Sequence, residues 1–168
     1  MPPTSRSPSP PTKRLLQELK DHDSEPLPLL HHLGPKSESQ LFEWEAVMRG
    51  PGGTAYEEGK WHLRISLPTT YPLSPPVIAF TTPIIHPNIS FRTGEICLDL
   101  LNTSPGGGGA WSPAYTVAKC LEAVWMMLRY PEVDSPLNVD VAVLLRSGDA
   151  VAAEGLVRWG CREWRYKG

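Results

Sequence analysis

The chain is short of charge of one sign, of long apolar runs and of cysteine, and each shortage excludes something. Sixteen Lys and Arg stand against eighteen Asp and Glu, a formal net charge of −2. No global basic field exists of the kind that draws a protein to nucleic acid. The apolar runs fall far short of the roughly 20 residues a helix needs to cross a bilayer. The amino terminus, rich in Pro and Ser, has no apolar core of a signal peptide. The expectation is therefore a chain that neither inserts into a membrane nor is secreted. Cysteine occurs three times, at Cys97, Cys120 and Cys161. That odd number at wide spacing fits a reducing compartment rather than a disulfide framework, and leaves at least one thiol free. A length of 168 residues leaves room for one domain and not for a second independent enzyme module.

What the chain has in excess is proline, 19 residues of 168, roughly twice the usual share of about 5%. Five of these fall in the first eleven residues together with three serines and a single charge. Such a stretch cannot bury enough apolar surface to offset its ordering entropy, so residues 1–11 are expected to be a disordered tail and residues 12–168 the folded domain. From Thr12 the spacing of Leu15, Leu16 and Leu19 among polar neighbours predicts an amphipathic helix of about three turns with Lys13 and Arg14 at its leading end. Residues 23–40, broken by Pro26, Pro28, Gly34 and Pro35, read as loop.

Two alternating segments follow. In residues 41–49, Phe42, Trp44, Ala46 and Met48 share one face; in residues 59–67, Trp61, Leu63, Ile65 and Leu67 do. Both are half-buried antiparallel strands by period, joined through Gly50-Pro51-Gly52-Gly53. Prolines flank a third strand at Val77 to Thr81, and Glu95 to Leu98 is a possible fourth. After the glycine run at Gly106 to Gly109 the period changes to that of a helix. Val117, Leu121, Val124, Trp125 and Leu128 form one that ends before Pro131, Ser135-Pro136 reads as the start of a second, and Gly148-Asp149 begins a third that reaches about Arg165. Helix, strands, then helices is the order of an α+β domain with an antiparallel sheet.

Several chemical readings fail on inspection. Gly53 to Lys60 has the outline of a phosphate-binding loop, but its glycines are one residue too far apart and Trp61 stands where Ser or Thr must meet magnesium. The Gly106 to Gly109 run lacks a following Lys and reads as a flexible insertion. His31-His32 reads as an exposed loop pair, and His86 with Cys97 has no CxxC or HxxxH companion, so no structural metal site is expected. Cys120 and Cys161 lie inside helical patterns and read as small core residues. His86 precedes Pro87 and reads as a turn residue with a hydrogen-bonded ring rather than as the base of a Cys97 dyad. Cys97 itself follows a polar turn, and two readings stand: an inert core thiol in a short strand, or a nucleophile.

The residues around it favour the second. His86-Pro87-Asn88, then a glycine and Ile96-Cys97-Leu98-Asp99-Leu100-Leu101, resemble the active-site signature of the ubiquitin-conjugating enzymes. Trp44 with Gly50-Pro51, Tyr56 to Gly59, Tyr71-Pro72 with Pro75-Pro76, Phe80, Trp111-Ser112-Pro113-Ala114 and Ser135 to Asn138 stand in that family's order, so the resemblance runs from about Lys13 to Lys167. It implies a fold with an amino-terminal helix, a four-stranded antiparallel sheet and carboxyl-terminal helices. It also implies that Cys97 takes ubiquitin as a thioester from an activating enzyme and passes it to a substrate nucleophile, usually a lysine. Sulfur suits both half-reactions because it attacks well and leaves well. Asn88 matches a neutral donor that steadies the oxyanion or the loop around it, and a purely structural role holding the turn stands beside that. Ser135 matches a position that orients the incoming amine, being too weak a base to deprotonate it, and it also reads as a plain helix N-cap.

Partners follow from the same resemblance. Lys13 and Arg14 match positions facing the activating enzyme, which spends the ATP, so no cofactor is expected on this chain. Leu73 and the stretch Trp111, Ser112, Pro113 and Ala114 match two loops that meet a ring-finger ligase, with Leu73 held out by prolines on both sides. Gln17 departs from a place often basic, and Asn102 to Ala110 is longer than the usual link. Residues 123–149 narrow the likeness to the peroxisomal branch of the family. Its enzymes act on peroxisomal import receptors with ring-finger ligases and are held at the organelle by a membrane-anchored peroxin. The expected place of action is therefore the cytosolic face of the peroxisomal membrane, or the cytosol. Two alternatives stand: a general cytosolic or nuclear enzyme for other substrates or a ubiquitin-like modifier, and an inert adaptor of the same fold, against which the pairing of Cys97 with Asn88 speaks.

Overall fold

A computed structural model describes residues 11–102 and 109–168 of the chain. Four strands form one antiparallel sheet in the order β1 (Leu30–Pro35), β2 (Glu43–Arg49), β3 (Lys60–Ser66) and β4 (Val77–Phe80). The alternation of the two central strands has its expected effect, because Trp44, Ala46 and Met48 on β2 and Trp61, Leu63 and Ile65 on β3 are all buried on one side. The two pair in unbroken register from Glu43 opposite Ser66 to Arg49 opposite Lys60. Against the same core pack α1 (Pro11–Ser24) and α2 (Val117–Arg129), followed by α3 (Val139–Arg146) and α4 (Ala150–Glu163). The α+β class, the amino-terminal helix, the four-stranded sheet and the carboxyl-terminal helices are as the sequence predicts. Among the described residues no helix is long and apolar enough to cross a membrane.

The details differ in five places. The fourth strand is β1, inside the segment read as loop. Leu30 and Leu33 are buried, while His31 and His32 lie exposed on a sheet edge whose register shifts between Leu30 and His32. Such a short, irregular edge strand ending at a proline carries little period to detect. Residues 95–98 are not a strand, and only the isolated bridges of Glu95 with Ala79 and Ile96 with Ile89 tie them down. Helix α1 begins at Pro11, a favoured first helical position; the other ten residues of the expected tail lie outside the described residues, as do residues 103–108 of the glycine-rich link. On α1 Leu16 is exposed, and Glu18 takes the buried place beside Leu15. Finally, α3 does not start at Ser135-Pro136. Its N-cap is Asn138, whose side-chain oxygen accepts the Val141 N–H, and the N–H groups of Leu137 and Asn138 just before the helix are both bound by the Pro87 carbonyl, at 2.8 and 3.0 Å.

Candidate active site

From Ile85 to Asn88 the chain has no helix or ladder to satisfy its backbone, and each carbonyl finds a separate partner. Ile85 accepts the Tyr56 hydroxyl at 2.8 Å. His86 accepts Ile89 N–H, Pro87 accepts the N–H groups of Leu137 and Asn138 just before α3, and Asn88 accepts Cys97 N–H at 2.9 Å. Buried carbonyls left open here would each cost about 1–3 kcal/mol. The neighbouring turn needs Gly94. Its φ is +71°, and a Cβ there would stand 1.8 Å from the Phe80 carbonyl oxygen, which itself leaves no room for a side chain.

His86 is wholly buried, and its partners fix its chemistry. Nδ1 must accept, since it faces the Asn88 N–H at 3.0 Å, and Nε2 must donate, since it faces the Met127 carbonyl at 3.0 Å. Burial, against the smaller pull of that carbonyl, holds its pKa down to about 4. Both nitrogens are thus engaged in a neutral ring, so His86 is not a base for Cys97 and the structural reading of the histidine holds.

Asn88 is buried as well, and its amide clasps one residue at both ends: Nδ2 donates to the Glu132 carbonyl at 2.6 Å, and Oδ1 accepts the Glu132 N–H at 2.8 Å. Backbone and side chain together therefore hold Cys97 and the loop before α3 on one asparagine. Cys97 is half-buried, whereas Cys120 and Cys161 are buried, where burial pushes their thiols up to about 12 and about 11. Cys97, Asn88 and the exposed Ser135 line one cleft of about 430 Å³ with Asp99, Met126, Tyr130 and Glu132 among the rest. The charged groups of that lining are Asp99 and Glu132, both acidic, which suits the approach of a cationic amine. Sequence reasoning includes Asp99 only as part of the signature, with no role of its own, and does not reach Tyr130 or Glu132, which carry no pattern.

The other predicted positions lie elsewhere. Leu73 is 63% exposed. The Trp111 indole N–H donates to the Pro72 carbonyl at 2.9 Å, so the Leu73 loop and the Trp111 to Ala114 turn are neighbours; Ser112 closes that turn by accepting N–H groups from Ala114 and Tyr115, and Pro113 and Ala114 are exposed. Lys13 is exposed on α1. Arg14 is not free: Nε meets Glu18 at 2.6 Å and Nη2 donates to the Tyr115 carbonyl at 2.9 Å.

Comparison with known proteins agrees with this geometry. The family model described as ubiquitin-conjugating enzyme matches residues 14–157. The ubiquitin-conjugating enzyme E2 PEX4 of Gibberella zeae is 51% identical over 94% of this chain and 91% of its own. The pex4 enzyme of Dictyostelium discoideum is 48% identical over 77% of this chain and 86% of its own. In structure, the H. polymorpha enzyme Pex4p, solved in complex with the soluble domain of Pex22p, superposes with a TM-score of 0.83 at 35% identity, covering 94% of this chain and all of that one. The thiol in its cleft, the sheet and the match along most of the chain lead to one conclusion: this chain belongs to the ubiquitin-conjugating enzymes, a family of transferases, and its likeness within them is to the peroxisomal, peroxin-4 members.

Proposed function

We propose that Cys97 carries ubiquitin as a thioester between an activating enzyme and a lysine of a peroxisomal import receptor. In charging, the Cys97 thiolate attacks the thioester carbonyl on the activating enzyme; the new C–S bond forms as the old one breaks, and the activating enzyme's cysteine leaves as a thiolate. In discharge, the neutral lysine nitrogen attacks the same carbonyl, a C–N bond replaces the C–S bond, Cys97 leaves as the thiolate and the surplus proton on nitrogen passes to solvent. ATP is spent earlier by the activating enzyme, and this chain needs no cofactor. Asn88 holds the loops on either side of the thiol, with the second proton of its amide nitrogen free to meet the oxyanion, and Ser135 orients the amine at the cleft's rim.

The carrying observation is that Cys97 alone of the three thiols opens into a cleft. Incubation with activating enzyme, ATP and ubiquitin is expected to give an adduct that a reducing thiol cleaves. It should disappear in Cys97→Ala and persist in Cys120→Ala and Cys161→Ala; a charged Cys97→Ala protein overturns the assignment.

The place of action in this reading is the cytosolic face of the peroxisomal membrane, reached through a membrane-anchored peroxin. The solved relative's complex with the Pex22p soluble domain supports that partner. Exposed apolar residues on the last two helices, Val139, Val143, Val151 and Trp159, support docking there, away from the cleft. Leu73 with Trp111 to Ala114 receives the ring-finger ligase, and Lys13 meets the activating enzyme.

A further inference from the structure

Glu18 is only 7% exposed and does not line the cleft around Cys97. Its carboxylate accepts three hydrogen bonds, each from a different place in the fold. Arg14 Nε donates at 2.6 Å from one turn earlier on α1, the Tyr71 hydroxyl at 2.6 Å from the loop after β3, and the Val117 N–H at 2.8 Å from the first residue of α2. Arg14 widens the network, since its Nη2 binds the Tyr115 carbonyl and its guanidinium stands 5.8 Å from the centre of the Tyr71 ring. The rings of Tyr71 and Tyr115 lie 6.1 and 6.0 Å from that of Trp111. One buried carboxylate thus ties α1 to the loop that carries Leu73 two residues beyond Tyr71, and to the end of the turn that carries Pro113 and Ala114.

A buried ion pair is a poor device for stability alone, because well-packed apolar side chains often do as well or better. What three directed bonds supply, and an apolar contact does not, is a fixed spacing between the groups that donate them. We propose that Glu18 is a positioning residue for ligase engagement: by holding Tyr71 and Val117 against α1 it sets the distance between Leu73 and Pro113-Ala114, and so the shape of the surface the ligase meets. This rests on the assignment of those two loops to the ligase. It also gives Arg14 an inward role, in place of a contact with the activating enzyme.

Three variants of the full chain test it. Glu18→Gln keeps the volume but removes the charge and turns one of the two acceptor oxygens into an NH2 donor, so at least one of the three donors loses its acceptor. Tyr71→Phe removes one bond and leaves the ion pair. Leu73→Ala alters the loop tip itself. Each is charged with ubiquitin, and discharge to free lysine is followed without ligase and with rising concentrations of an isolated ring-finger domain of a peroxisomal ligase. For Glu18→Gln and Tyr71→Phe the expected result is an unchanged ligase-free rate and an unchanged plateau. The ligase concentration for half-maximal stimulation should rise about tenfold in Glu18→Gln and by a smaller factor in Tyr71→Phe. Equal losses with and without ligase, or no shift in half-maximal concentration, would overturn the proposal. If the melting curve shows Glu18→Gln unfolded, Tyr71→Phe decides alone. A shift in Leu73→Ala with none in the other two sinks the role of Glu18 and spares the loop assignment; no shift in Leu73→Ala sinks that assignment and the role with it.

Discussion

The six residues Ile84 to Ile89 lie in no helix or named strand, yet all six are buried. Helix α3 is regular along eight residues and buries two of them, Val141 and Ala142. A helix satisfies its own backbone and can stand against water, so its side chains are left available to others. An irregular segment must borrow most of its partners, and here the lenders are Tyr56, α2, the loop at Glu132, the residues before α3 and the chain at Cys97. Rigidity near the thiol therefore comes from specific bonds made by the segment's own His86 and Asn88 side chains, its carbonyls and the Tyr56 hydroxyl, whereas the α3 and α4 end keeps its form and spends its surface.

The sharpest way to break this contrast is through His86. Its folded pKa of about 4 lies below the ordinary value of about 6.5, so between those limits the unfolded chain binds more protons than the folded one. Stability then rises with pH across that window and is lost as pH falls from about 6.5 toward 4, by up to about 3 kcal/mol for a fully buried ring. The mechanism is direct: a second ring proton would point at the Asn88 N–H, which is already a donor. Urea unfolding at pH 7, 5.5 and 4.5 should show this extra loss in the wild type and not in His86→Phe, which cannot titrate. Parallel slopes in the two proteins would remove His86 as the origin of acid sensitivity.

Much of this was legible beforehand, and what was not has definable causes. Period alone placed β2, β3 and α2, because Trp44 to Met48, Trp61 to Ile65 and Val117 to Leu128 each put large apolar groups on one side. Cys97 and Asn88 stood out through the resemblance, and the cleft brings them together with Ser135. The strand at Leu30 to Pro35 was hidden because its two histidines face outward and a proline ends it. The burial of Glu18 was hidden because a carboxylate inside an amphipathic helix reads as solvent-facing unless its donors are known, and Tyr71 and Val117 are distant in sequence. The clasp of Asn88 on Glu132 was equally unreadable, since on Glu132 it uses only backbone atoms.

That clasp yields a somewhat smaller effect. In Asn88→Ala the Glu132 N–H and carbonyl lose their partners, and the loop carrying Ser135 is released from the segment behind the thiol. A loss of about 2 kcal/mol in folding stability is expected, with slower discharge to lysine and a lower melting temperature measured on the same preparation. A direct oxyanion donor predicts a different pairing, a 100- to 1000-fold slower discharge with an unmoved melting curve. That outcome would show that the asparagine serves the reaction without also holding the loop.

The smallest effect on the fold belongs to the other region. Val139 and Val143 stand one turn apart on α3, both more than half exposed at 59% and 52%, so they share a face that the domain itself does not use. Replacing both with Ser removes little buried surface, and stability should stay within about 0.5 kcal/mol. Charging by the activating enzyme and discharge to free lysine should be unchanged, since Cys97 and its cleft are untouched. Binding to the soluble domain of the membrane-anchored peroxin should nevertheless weaken about tenfold or more, as removal of apolar anchors from an interface commonly does, and in cells the variant should leave the peroxisomal fraction. Retention of the double variant in that fraction, with wild-type affinity for the anchor in solution, would move the docking surface off this face of α3.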